Sequence, residues 1–163
     1  MKITRSTIIT GLAVLILVAA IPSAIREALE TGRIYLFSWD FLTDLPKRLT
    51  GAGRLRFILQ PTVATILGIR GGRADARAGR PPYLYGLLFH AAHRREYLGT
   101  GLAAVRDLVA IGIILDAVAQ LLIFRQIHPG AALVVGPVLI AMPYALARAL
   151  SNRCARELLA NAR

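Results

Sequence analysis

Three stretches of this chain, 8–25, 108–127 and 131–147, are almost uninterruptedly apolar. Each is long enough to approach the ~30 Å hydrocarbon core of a bilayer as a helix. In lipid every backbone N–H and C=O must find its partner within the protein, and for runs of this length the helix is the solution. Composition points the same way. Hydrophobic residues make up 56% and charged residues 18% of the 163 residues, against ~45–50% and ~25% in soluble domains. That much apolar surface excludes disorder, and a single cysteine, Cys154, excludes a disulfide-stapled fold. The chain reads as an all-α integral membrane protein, one membrane domain over 1–163. It has three or four membrane-inserted helices plus an interfacial amphipathic helix.

The first run follows Lys2 and Arg5. Val18-Ala19-Ala20 has the small-residue character of a signal cleavage site, but further spans follow, and an uncleaved anchor is the reading adopted. A fourth apolar segment, 57–69, carries Pro61 and is flanked by Arg54, Arg56 and Arg70. As a helix it reaches only ~20 Å, so it is expected to be a short inserted segment. Between these, Tyr35, Phe37, Trp39 and Phe41 alternate along 26–56, an aromatic pattern expected along a membrane surface.

The residues 70–106 form a basic region. Its first part, 70–82, reads as a polar linker closed by Pro81-Pro82. Over 83–98, helical spacing gathers Tyr83, Gly86, His90, His93, Arg94 and Tyr97 on one side and Leu84, Leu87, Leu88, Ala91 and Leu98 on the other. That pattern predicts the in-plane helix, with its tyrosines and cations toward the headgroups. Pro129-Gly130 predicts a tight hairpin between the last two runs, Pro137 and Pro143 predict kinks, and 148–163 reads as a basic helical tail.

The formal net charge is +11, from 20 Lys and Arg against 9 Asp and Glu. These cations lie between apolar runs and no nucleic-acid-binding motif is legible, so the expected counter-charge is anionic lipid headgroups rather than nucleic acid. With three spans, Lys and Arg divide 17 inside against 3 outside; with four, 13 against 7. The count favours three, but a short leader bearing Lys2 and Arg5 resists translocation, which tips the reading to four. Both arrangements put 70–106 and the C-terminus in the cytoplasm, and size and composition suit a bacterial inner membrane.

Asp116 is the sharpest chemical feature. It lies near the middle of an apolar run, where a carboxylate costs several kcal/mol unless paired, hydrated or protonated. Gln120, one turn on, projects from the same face and is expected to share a hydrogen bond with it. One reading is a proton- or cation-binding site with a raised Asp pKa. The other is a hydrogen-bonded anchor to the proline-bearing last helix, on the carbonyl of Leu133 that Pro137 leaves free. His90 and His93 fall short of the three or four ligands a metal needs and read as headgroup-facing histidines. Arg70, Arg73, Arg77, Arg80, Arg94 and Arg95 are the expected contacts for lipid headgroups or an acidic partner. The string 71–79 lacks the phosphate-loop order, and Asp75 is a single acid where divalent-metal chemistry needs several. No catalytic, cofactor or metal site is legible.

These features predict a small non-enzymatic membrane protein, an accessory, assembly or scaffold subunit that packs against a protein partner or its own copies. Gly101, Ala104, Gly112 and Ala119 permit close helix approach. The alternative is a small oligomeric transporter or proton-coupled carrier using Asp116. A lipid-modifying enzyme ranks last, for want of a nucleophile or metal set.

Overall fold

In the computed structural model, residues 4–161 are described, with the backbone alone for 92 and 93. The described chain is helical, without strands. Helix α1 (Arg5–Thr31) starts at Thr4, whose hydroxyl accepts the Thr7 amide, and stops at Gly32 in the left-handed region (φ 66°). A short 3-10 turn, Tyr35–Phe37, leads into α2 (Trp39–Thr50), with Asp40 in its first turn and Lys47 and Arg48 in its last, as the helix dipole prefers. Then follow α3 (Arg56–Arg77), α4 (Tyr83–Phe89), α5 (Ala91–Phe124) and α6 (Pro129–Asn161). Three of these, α1, α5 and α6, are long and apolar enough to cross a membrane.

Several boundaries differ from the sequence reading. The 57–69 segment is part of α3, which runs on to Arg77, so the first half of the expected 70–82 linker is helical. The turn comes at Gly79, in the left-handed region at φ 69°, just before the prolines. The basic tail is continuous with α6, which passes Pro137 and Pro143 without interruption.

The expected amphipathic helix over 83–98 is broken at His90, which lies between α4 and α5. Its expected faces are also only partly kept, since His90 and Arg94 are exposed but the tyrosines are not. Tyr83, Gly86 and Tyr97 are buried, whereas Leu88 and Leu98 are exposed. The tyrosines pack inward because Gly86 and Gly101 make room for the rings of Tyr97 and Tyr83, and Arg94 closes the break by donating to the carbonyls of Leu87 and Leu88. The His93 side chain, like residues Lys2 and Arg163, lies outside those described.

The chain divides into two compact units. The first comprises the described part of Met1–Ile58 with Asp107–Val138. Its apolar core is Ala13, Ala110, Ile113 and Ala132, flanked by Ile9, Leu17, Val109 and Ile114. Small residues set the spacing here: a Cβ on Gly136 would stand 2.9 Å from the backbone of Gly112. Parallel packing of α1 on α5 is marked by Ser6, which donates to Asp107, and by Gln126, which donates to Glu27.

The second unit comprises Leu59–Arg106 with the described part of Leu139–Arg163. Here α3 lies against α6 with almost no side chain between them. A Cβ on Gly68 would come within 2.5 Å of the Tyr144 carbonyl oxygen, and one on Gly72 within 2.2 Å of that of Arg148. Without the exposed glycine backbone, the helices would have to separate.

Candidate functional site

Asp116 is fully buried and lies in the first unit, where two arginines answer it. Arg48 of α2 places Nη1 3.3 Å from Asp116 Oδ2, and Arg56 of α3 places Nη2 2.7 Å from Oδ1. Gln120 donates through Nε2 to Oδ2 at 2.5 Å, and Arg56 also donates to the Leu115 carbonyl at 3.1 Å. Both guanidiniums are themselves buried. The anchor therefore reaches α2 and α3, and the partner of Asp116 is a pair of cations rather than the expected Leu133 carbonyl.

Within 26–56 the chain forms a 3-10 turn and a helix, α2. These carry Arg48 down to the level of Asp116, about 12 Å along α5 from Phe124. The aromatic alternation divides accordingly: Phe37 and Trp39 are exposed, whereas Tyr35 and Phe41 turn toward Arg48. The guanidinium carbon of Arg48 lies 5.2 Å from the Phe124 ring centre, 5.8 Å from Phe41 and 5.9 Å from Tyr35. Aromatic faces of this kind stabilise a desolvated cation.

Above this pair sits a polar seam. The Gln120 Oε1 accepts the His128 amide N–H at 2.7 Å, and the His128 ring stacks on Tyr35 with centres 3.6 Å apart. His128 Nε2 lies 3.2 Å from Glu27, and the Tyr35 hydroxyl donates to Asp44 at 2.8 Å. Burial pushes the Tyr35 phenol up to about 12 and pushes the His128 imidazole below its usual value against the pull of Glu27. For Asp44 burial acts upward, but hydrogen bonds from Lys47 and Tyr35 outweigh it and hold the carboxyl low.

A second buried ion pair organises the second unit. Arg148 of α6 grips Asp75 of α3 with two prongs, Nε at 2.7 Å and Nη2 at 3.1 Å, and donates through Nη1 to the Tyr144 hydroxyl at 2.9 Å. The rings of Tyr83, Tyr97 and Tyr144 surround it, with Tyr83 nearest at 4.4 Å. Bidentate geometry and aromatic walls suit arginine and would not suit lysine.

The two clusters share one chemistry: a buried carboxylate neutralised by guanidinium, with rings over the cation. In the first, the carboxylate oxygens of Asp116 are shared by Arg48, Arg56 and Gln120. Among the described residues, no three His, Cys, Asp or Glu side chains gather into a metal-binding group.

The six arginines expected at headgroups or an acidic partner divide. Arg80 pairs with Asp75 and Glu96, and Arg94 caps α4. Arg70, Arg73, Arg77 and Arg95 project outward. Sequence reasoning missed Arg48, Arg56 and Arg148 as site residues. The signal available was the demand of Asp116 for a counter-ion, which names no particular arginine. The chain matches no family model, no curated protein and no solved structure.

Proposed function

We propose that this chain is a non-enzymatic multi-pass protein of a bacterial inner membrane, an accessory, assembly or scaffold subunit of a larger complex, with its C-terminus in the cytoplasm. The observation that carries this reading is the internal pairing of Asp116 with Arg48 and Arg56. The most costly polar group in the apolar part of the chain serves to lock helices together. The exterior supports a lipid-facing molecule: Ile8, Leu15, Val18, Leu102, Leu122 and Met142, on the three long helices, are all exposed.

Four crossings are supported over three by the packing of α1. Its C-terminal Glu27 meets His128 and Gln126 in the turn before α6, so that end of α1 and that turn share one side. With 70–106 on the other side, the chain between must cross once more, through the first part of α3, 56–69, a short crossing of ~20 Å that a locally thinned bilayer accommodates. The test of the functional reading is to tag the full chain, extract it from its native membrane in mild detergent, and weigh the eluted particle. A stoichiometric partner or homo-oligomer is expected; a bare monomer would overturn the reading.

A second reading, a proton-coupled carrier, draws on the contiguous contacts from Glu27 through His128 and Gln120 to Asp116. It requires that Asp116→Asn abolish flux in proteoliposomes while the protein stays folded.

A further inference from the structure

The C-terminal end of α6 and the end of α3 enclose a basic, leucine-lined groove that the fold itself does not fill. One part, about 230 Å³, is lined by Arg73, Arg77, Ala155, Leu158 and Leu159. Its neighbour, about 480 Å³, shares Arg77 and Leu159 and adds Ala76, Gly79, Arg156 and Ala160. Arg156 is engaged on the carbonyls of Gly79 and Arg80 and so shapes the wall. Arg73 and Arg77 lie one turn apart on α3, and both are exposed. Opposite them Leu158 is 71% and Leu159 46% exposed.

We infer that this groove is the docking site for an acidic amphipathic helix of a partner protein, with its carboxylates on Arg73 and Arg77 and its apolar stripe on Leu158 and Leu159. The inference rests on the assembly-subunit reading and names the chemistry of the partner. Charge complementarity selects an acidic occupant, and exposed leucines beside arginines select one with an apolar face. A second copy of the chain fits poorly, because it has only 9 acids against 20 Lys and Arg and Asp75 and Asp116 are buried in ion pairs.

A lipid fits less well than a protein because of height. The preceding large exposed apolar side chain on α6 is Leu150, and Leu158 lies ~12 Å further along the helix. The headgroup layer is only ~5–8 Å deep on each side. With Leu150 as the last acyl-facing side chain, the leucines stand above the acyl chains, where a protein surface can cover them.

The test uses the full chain in an uncharged maltoside detergent and a fluorescent 18-residue helical peptide of Glu, Leu and Ala, followed by anisotropy. Binding is expected to weaken at least tenfold in Arg73→Glu/Arg77→Glu and at least fivefold in Leu158→Ser/Leu159→Ser. Arg153→Glu, on the exposed surface of α6 and outside the groove lining, is expected to change it less than twofold. Equal losses in Arg73→Glu/Arg77→Glu and in Arg153→Glu would reduce the effect to net charge and overturn the assignment. So would loss of peptide binding when phosphatidylglycerol, but not phosphatidylcholine, is added to the micelles, since the occupant would then be lipid. A chain that leaves its membrane as a bare monomer yet binds the peptide in this pattern would sink the assembly reading and leave the groove assignment standing. A chain that co-purifies with a partner but ignores the peptide would do the reverse.

Discussion

Asp116 and its two arginines form a unit that tolerates loss of one member badly. Replacing a buried ion pair with apolar groups can be neutral, but removing one partner strands a charge at a cost of about 3–5 kcal/mol. Asp116→Asn is therefore expected to lower the unfolding midpoint in detergent by an amount of that order, and Arg56→Met in the same background to recover part of the loss. An unchanged midpoint would show that the pairing holds nothing together. His128 gives the same cluster a pH dependence. Burial holds its folded pKa below the ordinary imidazole value of ~6.5. The stability it contributes is thus complete above pH ~6.5 and is lost as pH falls through the lower folded value. Midpoints between pH 8 and pH 5 should decline in the native chain and decline less in His128→Asn. The Tyr35 phenol, raised to about 12, should appear as a late step in an ultraviolet titration that Tyr35→Phe removes.

Among the elements, α3 and α6 in the second unit make the closest approach, and glycine permits it. At Gly72 a Cβ would overlap the Ser151 hydroxyl and the Arg148 carbonyl, so Gly72→Ala must push the helices apart, at a cost of ~1–3 kcal/mol for overpacking. Gly99, in α5, has nothing within 4 Å of the equivalent point. Gly99→Ala should be neutral or stabilising by up to about 1 kcal/mol, from helix propensity alone. Thermal unfolding of the two variants side by side separates contact from propensity; equal effects would refute the close packing. The long helices were legible in the apolar runs, but α2 and the helix ends were not. Arginines at 70, 73 and 77 read as linker because hydropathy falls there, yet Asp75 and its two-pronged contact with Arg148 keep that stretch helical and buried on one side.

At the scale of the whole molecule, the proposed topology rests on one contact and one count. The count of Lys and Arg leans toward three spans, whereas Glu27 beside His128 supports four. With Cys154, which is exposed, replaced by Ser, cysteines placed at Glu30 and Phe37 are expected to react with a membrane-impermeant maleimide on intact cells. The native Cys154 should react only after permeabilisation. Protection of both introduced cysteines would return the chain to three spans.

What the residues alone determined is a chain of helices with apolar exteriors, because transfer of such runs from water depends on composition and length and hardly on neighbours. Tertiary structure alone decided which arginine meets which carboxylate. Arg48 and Asp116 are 68 positions apart, and Arg148 and Asp75 are 73 apart. Charges of one sign are interchangeable in a sequence, and only the packing of glycine-bared helices brings particular pairs within hydrogen-bonding distance.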